Sequence, residues 1–162
     1  MKIVRKPGVG AKTLKIALQG LDGKVGKVGW FKGNNYETGT PVAYVAVIQE
    51  FGSPSNNIPA RSFMRSTMTE KKTAWAKSAE NISRNILKGY ATAHDAMELL
   101  GQQAKGDIQK TIVSIQTPAL KNTTIKARMA KMANKKVVGS LTKPLVEKGI
   151  LLGTIVNTVE NK

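Results

Sequence analysis

The sequence predicts an α+β chain. Two long segments, 67–89 and 92–115, carry apolar residues at helical spacing, and three shorter stretches, 24–31, 61–66 and 150–159, have the composition of strands. Extended loops bounded by proline and glycine separate them. At 162 residues the chain has the length of one domain, 1–162, able to bury roughly 70% of the surface its unfolded form exposes.

In chain order, Leu14, Ala17, Leu18 and Leu21 recur at helical spacing. Residues 1–23 therefore read as a peripheral amino-terminal segment with a helix from Ala11 to Gln19, ended by Gly20 and Gly23. Val25, Val28, Trp30 and Phe31 then suit a short strand, followed by a turn at Gly33-Asn34-Asn35. These glycines do not form a phosphate loop. Gly20 and Gly26 enclose five residues where that loop has four, and Val28 follows Lys27 where a magnesium-binding hydroxyl is required. Pro41 fits the first turn of a helix in which Tyr44, Val45, Ile48 and Phe51 share the buried face and Gly52 is the stop. The polar loop from Ser53 to Asn57 is stiffened by Pro54 and Pro59. Arg61 to Ser66 reads as a strand with Arg61, Phe63 and Arg65 pointing to one side.

Thr67 and Glu70 have capping-box spacing and open the first long helix, whose apolar face runs through Trp75, Ala79, Ile82, Ile86 and Tyr90, with Gly89 as its end. Thr92 and Asp95 repeat the box and open the second. Its buried stripe is Ala93, Met97, Leu100, Ala104, Ile108, Ile112 and Ile115, and Pro118 ends it. Gly101 and Gly106 inside this helix cost ~1 kcal/mol each relative to alanine, which implies close approach of another backbone or a bend. Residues 121–140 are basic and poor in large apolar groups, and read as a mobile or partner-ordered loop that leaves room for a helical turn around Ile125 to Met132. Ile150 to Val159 suits a terminal strand, buried on both faces or completed by another subunit.

The chain carries 26 Lys and Arg against 10 Asp and Glu, a formal charge of +16, divided as +6 over 1–40, +2 over 41–100 and +8 over 101–162. A field of this size draws polyanions, and an acidic protein partner equally. Lys121, Lys126, Arg128, Lys131, Lys135 and Lys136 are the candidate DNA-facing residues. Trp30 with Lys27 and Lys32 is the one aromatic set placed for stacking on bases, since Trp75 and Tyr90 fall on an apolar helix face. Without cysteine there is no disulfide, thiolate nucleophile or cysteine-ligated zinc. The single histidine, His94, neighbours Asp95 on a helix, where adjacent side chains point apart and make no base–orienter pair. Asp95 and Glu98 have the spacing of a metal pair, but acids at a helix start serve the dipole. No catalytic, cofactor or metal site is assigned, and an enzyme is not expected. No stretch approaches the ~20 apolar residues of a membrane span, and the basic opening lacks an apolar signal core, so a soluble protein made in the cytosol is expected.

One stretch, Ala43 to Arg65, carries a resemblance. Ile48-Gln49-Glu50-Phe51-Gly52, followed after the loop by Ile58-Pro59-Ala60-Arg61-Ser62-Phe63-Met64-Arg65, resembles the signature of tailed-bacteriophage neck and tail-completion proteins, the virion-morphogenesis type of head–tail joining component. Similar proteins commonly read His-Glu-Phe-Gly and Pro-Ala-Arg-Pro-Phe, where this chain has Gln49 and Ser62. Pro118, Leu120, Thr124, Ile125 and Arg128, then Lys143-Pro144-Leu145-Val146 with Gly149 and Leu151, resemble the family's carboxyl-terminal half, with Lys148 at a usual threonine. The similarity covers roughly residues 42–160.

The resemblance implies a mostly antiparallel sheet packed against two long helices, with extended loops. It also implies a homo-oligomer, a hexameric ring in the tail or neck of the virion, made in the host cytoplasm. The partners would be other phage tail or neck proteins, with weak, non-specific contact with DNA. Its structural motif maps onto Glu50, Phe51, Gly52, Pro59, Arg61 and Phe63, residues that read equally well as closing one loop. Glu50, near a helix carboxyl end where an acid opposes the dipole, is expected to pair with Arg61 across that loop. The alternative function is a basic nucleic-acid-binding module without enzymatic activity, supported by charge alone.

Overall fold

A computed structural model of the chain describes residues 10, 12, 15, 16, 19, 20, 23–134 and 140–161. Its elements are β1 (Lys24–Gly29), α1 (Val42–Phe51), a 3-10 turn (Pro54–Asn56), α2 (Met64–Leu87), α3 (Ala93–Ser114), α4 (Asn122–Ala133), α5 (Ile150–Gly153) and β2 (Val156–Asn161). The fold is α+β, but it is 58% helical, and among the described residues its sheet consists of β1 and β2, antiparallel, in place of the larger sheet that the resemblance implies. Among the described residues no helix is long and apolar enough to cross a membrane. The described residues between 10 and 20 are helical, while Ala11, Leu14, Ala17, Leu18 and Leu21 of the expected first helix lie outside the described residues.

The chain divides into two compact units. One comprises Met1–Lys27, Thr73–Ala104 and Asn157–Lys162, and the other Val28–Lys72 and Lys105–Val156. In the first, the strands meet the early turns of α3. A Cβ placed on Gly101 would stand 3.0 Å from the Cβ of Asn157, so this glycine serves the close approach of β2, whereas Gly106 faces open space. Asn157 also donates from Nδ2 to Glu98 Oε1 at 2.7 Å. Lys24 and Lys27 reach across from β1 to Asn161 and Glu160. Half of the Thr92 box forms as its spacing predicts, the Asp95 N–H donating to Thr92 Oγ1 at 3.1 Å, while the Asp95 carboxylate accepts from the Thr92 hydroxyl at 2.7 Å in place of the backbone N–H. Ile86, Ala93 and Ala96 are buried here, and Trp75, Ala79 and Ile82 half-buried, but Tyr90, past the end of α2, is 79% exposed.

The second unit holds the main core: Val42, Ala46, Phe63, Ile108, Ile112, Leu151 and Ile155. Trp30 belongs to it. Its ring meets Phe63 edge-on at 5.5 Å and its Nε1–H donates to the Leu151 carbonyl at 2.9 Å, so it is unavailable as a base-stacking platform. Inside the core the Thr67 hydroxyl lies 2.7 Å from that of Thr111.

Five expectations change in the structure. Residues 61–66 are not a strand, because α2 already begins at Met64. Thr67 is consequently not a cap. It lies one turn inside the helix, where its hydroxyl donates to the Phe63 carbonyl at 2.6 Å. In α1 the buried face is Val42, Ala46 and Glu50, one helical stripe at i, i+4 and i+8, which turns Tyr44 and Phe51 outward. In 121–140 the helical turn around Ile125 to Met132 is present and longer, as α4, and the segment is tied down there: Arg128 is buried and its Nη1 donates to the carbonyls of Ser140 and Lys143 at 2.7 and 2.8 Å. The terminal apolar run opens as a helical turn after Gly149, placing Leu151 and Ile155 in the core at i, i+4, and only 156–161 is extended.

Candidate functional site

The two halves of the resembled motif meet at the junction between α1 and α2. Gly52 ends α1 with its N–H on the Ile48 carbonyl at 2.7 Å and takes φ 78, ψ 173, a conformation close to glycine-only. Its α-carbon passes so near the returning chain that an added Cβ would lie 2.8 Å from Ala60 N and 2.9 Å from the Ile58 carbonyl oxygen. Between these passes the loop closes on itself: Ser53 and Ile58 exchange backbone hydrogen bonds of 2.8 and 3.0 Å, and Asn57 is left-handed. Pro59 then directs the chain back along α1, where the Arg61 N–H reaches the Gln49 carbonyl at 2.7 Å.

Glu50 is the centre of the junction. Its carboxylate accepts from the backbone N–H groups of Phe63, Met64 and Arg65 at 2.7, 2.8 and 3.1 Å, from Ser62 Oγ at 2.7 Å and from Arg65 Nε at 3.0 Å. The first N–H groups of a helix have no partner within it, so Glu50 caps α2 from a different element. Burial pushes the Glu50 carboxyl up, but the hydrogen bonds from Met64, Ser62 and Arg65 outweigh it and hold the pKa below the ordinary value.

Arg61 does not pair with Glu50. Its guanidinium is buried and donates to the carbonyls of Pro118 and Ala119 and to Gln49 Oε1 at 2.9, 3.2 and 3.2 Å. The cation on Glu50 is Arg65, which also donates from Nη2 to the Glu50 carbonyl at 3.1 Å and lies 4.5 Å over the Phe51 ring. Gln49 and Ser62, where the chain departs from the resembled pattern, each supply a hydrogen bond here, Gln49 to Arg61 and Ser62 to Glu50. Sequence reading missed Gln49, Ser62 and Arg65 as members of the site. Only a helix start at Met64, hidden by the strand-like alternation of 61–66, would have signalled them.

A double-mutant cycle separates the two arginines. Glu50 and Arg65 should couple by about 1 kcal/mol, and Glu50 and Arg61 by less than about 0.3 kcal/mol. Arg61→Ala alone should still cost more, about 2–4 kcal/mol, because it removes a buried cation together with its hydrogen bonds to the Pro118 and Ala119 carbonyls and to Gln49. Urea denaturation of the single and double variants reads both quantities. Coupling confined to Arg61 would contradict the observed pairing.

The basic segment is not a uniform face. Lys121 and Lys126 are exposed, Lys131 is bound to Glu147 at 2.5 Å, and Arg128 is 5% exposed, so it is withdrawn from the candidate DNA-facing set. Lys135 and Lys136 lie outside the described residues. Burial, and then the charge of Arg128, pulls the Arg61 guanidinium below its ordinary pKa, so two buried cations share this region and are held by backbone carbonyls. His94 is exposed, and no cluster of three His, Asp or Glu side chains suited to a metal occurs among the described residues. Comparison with family models, curated proteins and solved structures returns no match.

Proposed function

We propose that this chain is a structural component of a tailed-phage particle, a ring-forming tail-completion or head–tail joining protein that acts by assembly and not by catalysis. The observation that carries the reading is the convergence of Glu50, Gly52, Pro59, Arg61 and Phe63 in one junction. With Phe51, which is exposed beneath the Arg65 guanidinium, these are the motif residues of the resemblance, and they hold a stiff proline-bounded loop at the surface. The carboxylate of the motif is committed to capping, a building role. Within the proposal, the two-stranded sheet gains further strands from neighbouring subunits, because a lone pair of strands leaves open edges that closed rings cover.

Light scattering on the purified chain, alone and with isolated tails or particles, tests this. The expected result is a cyclic oligomer, hexameric by resemblance, and recovery of the chain from purified particles at the neck or tail end. A strict monomer in both settings, absent from particles, would reject the reading. The exposed Lys121 and Lys126 keep a second reading alive, a nucleic-acid-binding module. If they hold DNA, log affinity should fall against log salt with a slope of about −0.9 per phosphate neutralised. On the virion reading, binding is weak, indifferent to sequence and lost near physiological salt. Sequence-selective binding that persists there transfers the assignment to the module.

A further inference from the structure

An apolar groove opens beside the same junction. On the outer face of α1, Tyr44, Val47 and Phe51 are 59%, 56% and 59% exposed, and Met68 on α2 is 55% exposed. Positions 44, 47 and 51 share one stripe of α1, and 64, 65 and 68 one stripe of α2. The groove has a volume of about 270 Å³ and is lined by Trp30, Val47, Phe51, Phe63, Met64 and Arg65 among others. Small-molecule sites usually occupy ~300–1,000 Å³, so this one suits an anchoring side chain better than a metabolite. Exposed apolar residues scattered singly need no account, but a cluster beside a groove marks a surface that another molecule covers.

The hydrogen-bonding capacity left in the groove lies with its cation. Its two charged lining residues are Glu50 and Arg65. The Glu50 carboxylate already accepts five hydrogen bonds. Arg65 gives Nε and Nη2 to Glu50, yet a guanidinium has five N–H donors, and its side chain is 57% exposed. Its guanidinium carbon lies 4.5 Å over the Phe51 ring, so a side chain seated in the groove would have a cation beside it, with donors to spare for a carboxylate.

The geometry points to this groove as the docking site of an acidic protein segment. One aliphatic or aromatic residue of the partner sits against Val47 and Phe51, and a neighbouring Asp or Glu engages Arg65. Charge favours this occupant: the half-exposed Arg65 beside the apolar wall offers donors to a carboxylate, and a chain at +16 steers an acidic partner in. The inference does not depend on the virion reading, since it rests on the groove and its cation alone.

A random-peptide library displayed on yeast, selected on the full chain, tests it. Enriched peptides should place an apolar residue beside acids. A synthetic peptide of the enriched sequence should bind Val47→Asp and Met68→Asp about tenfold or more weakly by fluorescence anisotropy. Both positions are exposed, so the circular dichroism of the variants should match the parent. Enrichment of basic or purely apolar peptides, no enrichment, or undiminished binding by Val47→Asp overturns the proposal. Dimerisation of the parent chain that Val47→Asp abolishes also overturns it, and assigns the groove to a second copy.

Discussion

Gly52→Ala is expected to destabilise the fold by about 2–6 kcal/mol, the sum of about 1–3 for a side chain in a glycine-only backbone region and about 1–3 for overpacking. Gly52 has φ 78, and its added Cβ would meet Ala60 N at 2.8 Å and the Ile58 carbonyl oxygen at 2.9 Å. Both are backbone atoms, which cannot rotate away as a side chain would. Relief requires the loop to part from α1, and with it the contact of Arg61 N–H with Gln49. Gly89→Ala is the control. Gly89 has φ 77 but nothing within 4 Å of its notional Cβ, so only the left-handed penalty remains, about 1–2 kcal/mol. Urea midpoints of the two variants isolate the cost of the close approach. Equal losses would mean that the loop yields and that the junction is not rigid.

Glu50→Ala should cost about 3–5 kcal/mol, because hydrogen bonds to a charged group are worth about 1.5–3 kcal/mol each and the N–H groups it leaves behind are partly buried. A domain of this size has only about 5–15 kcal/mol in total, so the variant should sit close to unfolding. Glu50→Gln keeps one acceptor oxygen and should lose about half as much. The pH dependence follows from the lowered pKa. A carboxyl whose folded pKa lies below its unfolded value adds stability in full above the unfolded value, and that stability drains away as pH falls through the folded one. The window thus begins near the ordinary 4.5 and extends downward. Stability measured from neutral pH into that range should fall less steeply in Glu50→Gln than in the parent chain. Identical acid slopes would mean that the carboxylate does not hold the start of α2.

The reach of sequence reading can be seen residue by residue at this junction. Glu50, Gly52 and Pro59 are legible from chemistry, as an acid at a helix end, a glycine at a stop and a proline beside a loop, whereas Phe63 stands out only through the resemblance and Arg61 as the nearest cation across the loop. The partner of Glu50 is not legible. On an extended strand Arg61 and Arg65 face the same way, and Arg61 is the nearer. Once Met64 opens a helix, the chain tightens from about 3.3 Å to 1.5 Å per residue, and the Arg65 N–H and guanidinium swing onto Glu50. Arg128 was misplaced for a related reason. Composition counts it among the exposed lysines of its segment, but the carbonyls of Ser140 and Lys143, twelve and fifteen residues on, draw it inside.

By itself the sequence determined what short-range physics governs: the extent of α3 between the Thr92–Asp95 box and Pro118, the end of α2 before Gly89, the strand at 24–29, and a strongly basic surface. Those signals act within a few residues, through capping hydrogen bonds, glycine's left-handed φ and proline's missing N–H. Only the tertiary structure decided where α2 begins, which face of α1 is inside and whether the last apolar run is strand or helical turn. Each of these turns on a group far along the chain. Glu50 supplies acceptors thirteen to fifteen residues ahead of itself, and the core takes Leu151 from the helical turn and Ile155 from the residues between that turn and β2. A local β preference spans only ~1 kcal/mol, and several charge-assisted hydrogen bonds from another element exceed it.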